Sequence, residues 1–449
     1  MDVLLLSRIQ FALTIAFHYL YPPLSIGLGI LMVIMEGMYL KTRNPLYHIM
    51  TRFWVKVFGL TFAIGVATGI VMEFEFGTNW ATYSRYVGDI FGSALAAEGI
   101  FAFFLESGFL AVLLFGWDKV KPWVHFVSAI MVCLGAHFSS IWIVVAGSWM
   151  QTPAGYHIVG QGMEARAEIT DFWAMVFNPS SMDRLTHVVL GCWQAGATLV
   201  LSISAYYLLR NRHREFAQAS MKIALTVALF ASVCQLISGH HSAELVAEHQ
   251  PPKMAAMEAH YPESAPADLY LFGWVDEKNQ RVNFGIRIPR MVSVLLYGDP
   301  DAPVTGLNAF PKEDQPPVNV VFQFYHIMVA IGFTLIALNV TGMFMLLRGK
   351  LFECRPLLWA FVFSVLGPQI ANQAGWFTAE IGRQPWIVYG LLRTSEALSK
   401  TVTANMVLTS LIMFTIIYAL LFVLFIFLLD RKIKHGPEDV EHLADSQRA

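Results

Sequence analysis

Several side chains that can carry protons or bind metal stand in stretches of this sequence that are otherwise apolar. His18 lies in the run 11–39, Glu98 and Glu106 in 94–117, His125 and His137 in 123–147, His187 in 185–209, and His326 with Met328 in 319–347. An ionisable side chain within an apolar span is costly to bury, so these positions are the first candidates for function. A neutral imidazole or a thioether is a natural axial ligand for haem iron, and a planar macrocycle fits between the helices of a bundle. Haem is therefore the most economical cofactor for such a set. Each position also has a plainer reading: a lone helical histidine is often a hydrogen-bonded packing residue, and most of the 20 methionines fill gaps. His125 and His137 are read that way, and spacing alone does not show which histidines meet.

Two carboxylates in one apolar helix are harder to explain by packing. On a regular α-helix Glu98 and Glu106 stand about 12 Å apart along the axis and about 80° apart around it. That suits successive stations of a proton path better than a paired acid and base. Carboxyl groups bonded to neighbouring helices for assembly are the alternative.

The elements that must position these groups follow from composition. Of 449 residues, 56% are hydrophobic and 14% charged, with a mean hydropathy of +0.53; this places the chain in a bilayer. About nine runs reach the roughly 20 apolar residues of a spanning helix, near 11–39, 53–73, 94–117, 123–147, 185–209, 219–239, 319–347, 356–378 and 403–429. The expected fold is an all-α polytopic membrane protein of about nine transmembrane helices. Basic residues alternate between links: Lys41, Arg43 and Arg52; Lys119 and Lys121; Arg210, Arg212 and Arg214; Arg348, Lys350 and Arg355; and Arg431, Lys432 and Lys434 after the last span. Those links are expected to be cytoplasmic, which puts the N-terminus outside and the C-terminus inside. The first apolar run lacks a basic leader and is read as a retained span.

A single transmembrane domain, 1–449, is expected, with an extracytoplasmic segment at 240–318 and a cytoplasmic tail at 430–449. So long a link is usually functional. The net charge of −2 gives no reason to expect nucleic acid. Cys133, Cys192, Cys234 and Cys354 are scattered and form no C-x-x-C motif, which leaves disulfide frameworks, zinc ribbons and covalent haem attachment without support.

Several long stretches resemble the haem-bearing subunit I of cytochrome bd quinol oxidases. They are LSRIQFALTIAFHYLYPPLSIG around His18, GVATGIVMEFEFGTNWATYSRYVGDIFG at 65–92, LAAEGIFAFFLESGF around both glutamates, and GWFTAEIGRQPW at 375–386. The resemblance implies that His18 is the axial ligand in a two-haem oxygen-reducing centre, with Glu98 beside or on it. Glu106, Ser107 and Ser139 are similar to parts of a proton path from the cytoplasm, with Lys56 and Asp118 near its entrance. His187 and Met328 match the axial pair of a separate low-spin haem b. Lys253 and Glu258 match quinol-contacting residues in a short-form quinol loop at 240–318. Glu380, Arg383, Gln384 and Trp386 belong to the GRQPW segment, where Arg383 is suited to a haem propionate and a loop tied to helix ends is the plainer reading.

The resemblance further implies three cofactors, low-spin haem b, a second haem b and haem d, and a subunit II, with small single-span subunits as further partners. It implies a multi-pass protein of a bacterial or archaeal plasma (inner) membrane. The expected activity is quinol oxidation at the outer face and reduction of molecular oxygen to water with cytoplasmic protons, without a pump. Two positions depart from the family: Phe425 stands where a last-span glutamate ligates one of the paired haems, and His326 replaces an arginine two residues before Met328. They keep open a bd-like oxidoreductase with an altered haem pair and another donor. A haem-free proton channel or transporter is a further alternative, although no inverted repeat or broken-helix pattern is evident.

Overall fold

The computed structural model describes residues 2–438. The 16 α-helices are α1 (Val3–His18), α2 (Pro22–Thr42), α3 (Pro45–Thr78), α4 (Ala81–Tyr86), α5 (Gly88–Ala97), α6 (Phe104–Phe115), α7 (Pro122–Gln151), α8 (Phe172–Val176), α9 (Ser181–Leu209), α10 (Arg214–His249), α11 (Pro251–Met257), α12 (Met291–Tyr297), α13 (Val318–Leu347), α14 (Arg355–Ser364), α15 (Leu366–Ile381) and α16 (Ala404–His435). Among the described residues, eight continuous helical stretches are long and apolar enough to cross a membrane. The all-α polytopic expectation therefore stands.

The ninth expected span, 356–378, is divided between α14 and α15 at Val365, so neither half has the length of a crossing helix. Pro368 follows closely, and proline fits the first turn of a helix because its missing N–H has no partner there. The same chemistry interrupts the run 11–39. Pro22 and Pro23 open α2, and the chain breaks at Tyr19–Tyr21, leaving His18 as the last residue of α1. The third run is interrupted differently, by a π-helical turn at Glu98–Phe103 between α5 and α6.

The centre of the bundle is α9, which packs most closely on α2 and α10. Gly27 and Gly196 let the α2 and α9 backbones touch: a Cβ on Gly27 would lie 2.2 Å from the Cys192 carbonyl oxygen, and one on Gly196 would lie 2.3 Å from the Gly27 carbonyl carbon. Small residues at such crossings give helices in lipid their van der Waals contact. By contrast α16 touches mainly α1 and α3 and leaves Leu420, Phe422, Val423 and Phe427 exposed.

The segment 240–318 is a folded cap. Its first ten residues continue α10, and three short antiparallel pairs follow: Ser264–Ala265 with Val304–Thr305, Leu269–Tyr270 with Arg287–Ile288, and Trp274–Asp276 with Arg281–Asn283. Met254, Ala255, Met257, Tyr261 and Val292 form a small apolar core with Val321 and Phe322 of α13. That core fastens the cap to the bundle. At the other terminus α16 extends to His435, so the expected tail begins as helix, and residues 439–449 of it lie outside the described residues.

Candidate functional site

Chain breaks and helix crossings converge on one chamber of about 1830 Å³, larger than the roughly 300–1,000 Å³ of a drug-sized pocket. His18, Glu98, Glu106, Ser139, His187, Lys253, Glu258, Met328, Glu380, Arg383 and Gln384 all line it. Lys56, Ser107, Asp118, His326 and Trp386 do not.

At one end, His18 is held by Thr68 of α3. Thr68 Oγ1 lies 2.9 and 3.0 Å from the carbonyl oxygens of Ile64 and Gly65, which can only accept, so its hydroxyl proton is committed to them. The oxygen then accepts from His18 Nδ1 at 3.0 Å. That partner assigns the proton to Nδ1 and leaves Nε2 its lone pair, the tautomer a metal ligand requires. Gly69 passes close by; a Cβ there would come within 3.3 Å of His18 Cε1.

The two carboxylates meet α7. Ser139 Oγ donates to Glu98 Oε1 at 2.5 Å. Glu106, buried, lies across Gly135, where a Cβ would stand 2.4 Å from Glu106 Cγ. Gly135 and Ser139 are four residues apart, on one face of α7. The π-helical turn explains the alignment, because its wider i→i+5 turn absorbs one residue. Glu98 and Glu106 then relate as positions about seven apart, roughly 20° around the axis instead of about 80°. The regular-helix expectation is corrected here: both carboxylates share one face.

His187 on α9 pairs through Nδ1 with Ser238 Oγ of α10 at 3.2 Å; a Cβ at the neighbouring Gly239 would meet its Cε1 at an ordinary 3.5 Å. Met328 on α13 sits against Gly375 of α15, where a Cβ would lie 2.8 Å from Met328 Sδ. Gly375 keeps the Met328 sulfur clear of a neighbouring side chain.

The far end of the chamber is dense in charge. Arg383, 2% exposed, pairs with Glu380, while its Nε and Nη1 are buried with no hydrogen-bond partner. Lys253, also 2% exposed, donates to Gln151 Oε1 and to Gln250 Oε1, the latter at 2.5 Å. Gln151 Nε2 in turn reaches Glu380 Oε1 at 3.1 Å and the Ala379 carbonyl at 3.2 Å. Burial, with Arg184 and Arg383 nearby, holds the Lys253 ammonium well below its usual range. Burial pushes the Glu258 carboxyl up to about 8, and the nearby Tyr325 hydroxyl offsets part of that push.

The remaining expected residues fall elsewhere. Lys56 pairs with Glu438 at 2.5 Å, where Arg52 also approaches, and Asp118 is exposed in the turn before α7. Ser107 is exposed, and its hydroxyl bonds its own helix at the Phe104 carbonyl. Trp386 packs beneath the Arg393 guanidinium at 4.6 Å, and Gln384 Oε1 accepts from Thr394. His326 directs Nδ1 to the Phe322 carbonyl at 2.8 Å and Nε2 to the Tyr270 carbonyl at 2.6 Å, which ties the cap to α13. Phe425 is buried edge-on to Tyr21. His137 is a packing residue, bonded to the Cys133 carbonyl and to Trp193.

Sequence reasoning missed two buried carboxylates. Glu36 Oε1 lies at hydrogen-bond distance, 2.6 Å, from His125 Nδ1, so His125 is more than packing; a lone glutamate in the apolar run of α2 was the signal. Glu75 falls outside the apolar runs 53–73 and 94–117, but it lies inside α3 and is buried.

The donor set fits haem: a histidine with its Nε2 lone pair free, a second histidine, a thioether kept clear by a glycine, and buried guanidinium N–H groups open to a carboxylate. The family model for cytochrome bd terminal oxidase subunit I matches residues 6–437. The chain belongs to that family. It is 39% identical to the cytochrome bd ubiquinol oxidase subunit 1 of Bacillus subtilis (strain 168), over 98% of this chain and 96% of that one. It is 35% identical to the cytochrome bd-II ubiquinol oxidase subunit 1 of Escherichia coli (strain K12), over 100% and 99%. The solved bd oxidase from Geobacillus thermodenitrificans superposes with a TM-score of 0.90 at 29% identity, covering 97% of this chain and 99% of that one. The protein is thus a terminal oxidase subunit of the cytochrome bd type, a multi-pass membrane oxidoreductase for which haem is expected.

Proposed function

We propose that this subunit oxidises a membrane quinol at the capped end of the chamber and supports reduction of oxygen to water at the end holding His18 and Glu98. The observation that carries the reading is the continuity of one chamber from Lys253, Glu258 and Arg383 to His18, Glu98 and Glu106. Haem, when bound, supplies the electron transfer and the oxygen chemistry. His187 and Met328 would hold the low-spin haem b, a pairing that tends to raise the potential. His18, with Glu98 beside it, would serve the haem pair, a second haem b and haem d.

The side chains do the remaining work. Arg383 offers two buried N–H groups to a haem propionate. Glu258 takes a quinol proton at the outer end. Glu106 and then Glu98 hold protons on their way from the cytoplasm, and the face they share on α7 makes them neighbours along one line. Protons released outside and taken up inside generate a proton motive force without pumping. Phe425 supplies no ligand from α16, so a ligand on that side of the haem pair would have to come from another residue. Subunit II is the expected partner, and the exposed apolar faces of α6 and α16 offer it surface; small single-span subunits would add to the same assembly in the bacterial inner membrane.

The test is a dithionite-reduced minus air-oxidised spectrum of the detergent-purified complex, with haem quantitation and oxygen uptake on adding a quinol. Haem b bands with a far-red haem d band and quinol-dependent uptake are expected. Haem b bands alone would replace the haem d assignment, and a colourless protein from haem-replete cells would overturn the reading.

A further inference from the structure

Tyr325 belongs to none of the motifs that carry the family likeness, yet it occupies a decisive position. It lies one helical turn before Met328 on α13, on the same face, and lines the chamber beside Glu258. Its hydroxyl lies close enough to the Glu258 carboxyl to favour the charged form of that group. Glu258 ends α11 in the cap and is 3% exposed; its Oε2 is buried without a hydrogen-bond partner. The surrounding wall is apolar and deformable, with Met254, Met257, Met291 and Leu295, as a flat hydrophobic ring would need.

We propose that Tyr325 is a positioning residue for quinol oxidation: its hydroxyl anchors the Glu258 carboxyl so that Oε2 faces the quinol hydroxyl that loses its proton. The proposal rests on the quinol reading above. A carboxyl with one oxygen unpartnered could otherwise take another rotamer, and a catalytic base must lie within hydrogen-bond reach of the proton it takes. The step is a proton transfer. The quinol O–H bond breaks, an O–H bond forms at Oε2, and the electrons leave by the oxidation that the terminal oxidase reaction already performs.

The sign of the pH dependence follows from the hydrogen bond. A donor to the carboxylate favours its charged form and offsets part of the upward push of burial. Other titratable groups on or near the elements packed around Glu258 are His249 on α10, Lys253 on α11, His260 just beyond it and His326 on α13. Lys253 is held by Gln151 and Gln250, His260 Nε2 by the Val304 carbonyl, and His326 by two carbonyls.

The experiment compares wild type, Tyr325→Phe, Glu258→Gln and the double variant as purified complexes, with a short-chain benzoquinol and a naphthoquinol as donors. In wild type kcat/KM should rise with pH as Glu258 deprotonates. Tyr325→Phe should keep the haem spectrum and move that acid limb upward, on the order of one pH unit, with rate recovering at high pH. Glu258→Gln should abolish the limb, and adding Tyr325→Phe to it should change nothing further. An unmoved limb in Tyr325→Phe, or a full additional loss in the double variant, would overturn the proposal and leave a tie between cap and bundle. Wild type that reduces oxygen from neither quinol would instead sink the quinol reading and this inference with it.

Discussion

At one end of the chamber Glu98 and Glu106 each meet a single small residue of α7, Ser139 or Gly135. At the other end Lys253, Gln151, Gln250, Glu380 and Arg383 form a web drawn from α7, α10, α11 and the end of α15. The first arrangement leaves carboxyl groups with few fixed partners, so a proton can be gained or lost without repacking. The second holds charge in place, which suits recognition of an anionic or hydroxyl-bearing group. The difference teaches that proton storage and ligand positioning need opposite degrees of constraint, and that one chamber can provide both.

The sharpest way to break this comparison lies at the proposed haem ligands His187 and Met328, which line the same chamber. His187→Ala or Met328→Leu should eliminate the low-spin haem b bands from the reduced-minus-oxidised spectrum while the signals of the His18 end survive. An unchanged spectrum would remove the pair from the assignment. The next largest effect is expected at the sparse end. Glu106→Gln should slow oxygen reduction about 100-fold, within the usual range for a positioned acid or base, at unaltered haem content. Stopped-flow oxidation of the reduced complex by oxygen measures it, and normal turnover would take Glu106 off the proton path.

The smallest expected effect tests the packing that seats that carboxylate. Gly135→Ala puts a methyl group on the Glu106 side chain and should destabilise the protein by about 1–3 kcal/mol, as overpacking does. Thermal unfolding followed by the haem absorbance reads it. Gly147→Ala, on the same helix where a Cβ meets nothing within 4 Å, is the control. Equal shifts in both would mean that Gly135 is there for reasons other than Glu106.

Much of the architecture was legible in the residues. The apolar runs marked the crossing helices because backbone groups in lipid must be satisfied within the segment, and Pro22 and Pro23 already held the signal for the break that leaves His18 at a helix end. The folded nature of the cap was less visible, since its core joins Met254 and Val292 to Val321 and Phe322 across a long separation in sequence. Glu36 could have been found by the rule that found Glu98; its pairing with His125 could not, because the pair joins two helices.

By itself, then, the sequence determined which side chains are buried against their chemistry, since an apolar run around a histidine or carboxylate is a local fact. It also carried the family motifs. Only the tertiary structure decided which of those side chains meet. The π-helical turn brought Glu98 and Glu106 onto one face of their own helix, toward α7, His326 was turned to the Tyr270 carbonyl and away from the chamber, and Tyr325 was set beside Glu258. The reason is physical: a helix fixes the spacing of its own residues, whereas its rotation and its neighbours are set by packing, and a single extra residue in one turn is enough to change which groups face each other.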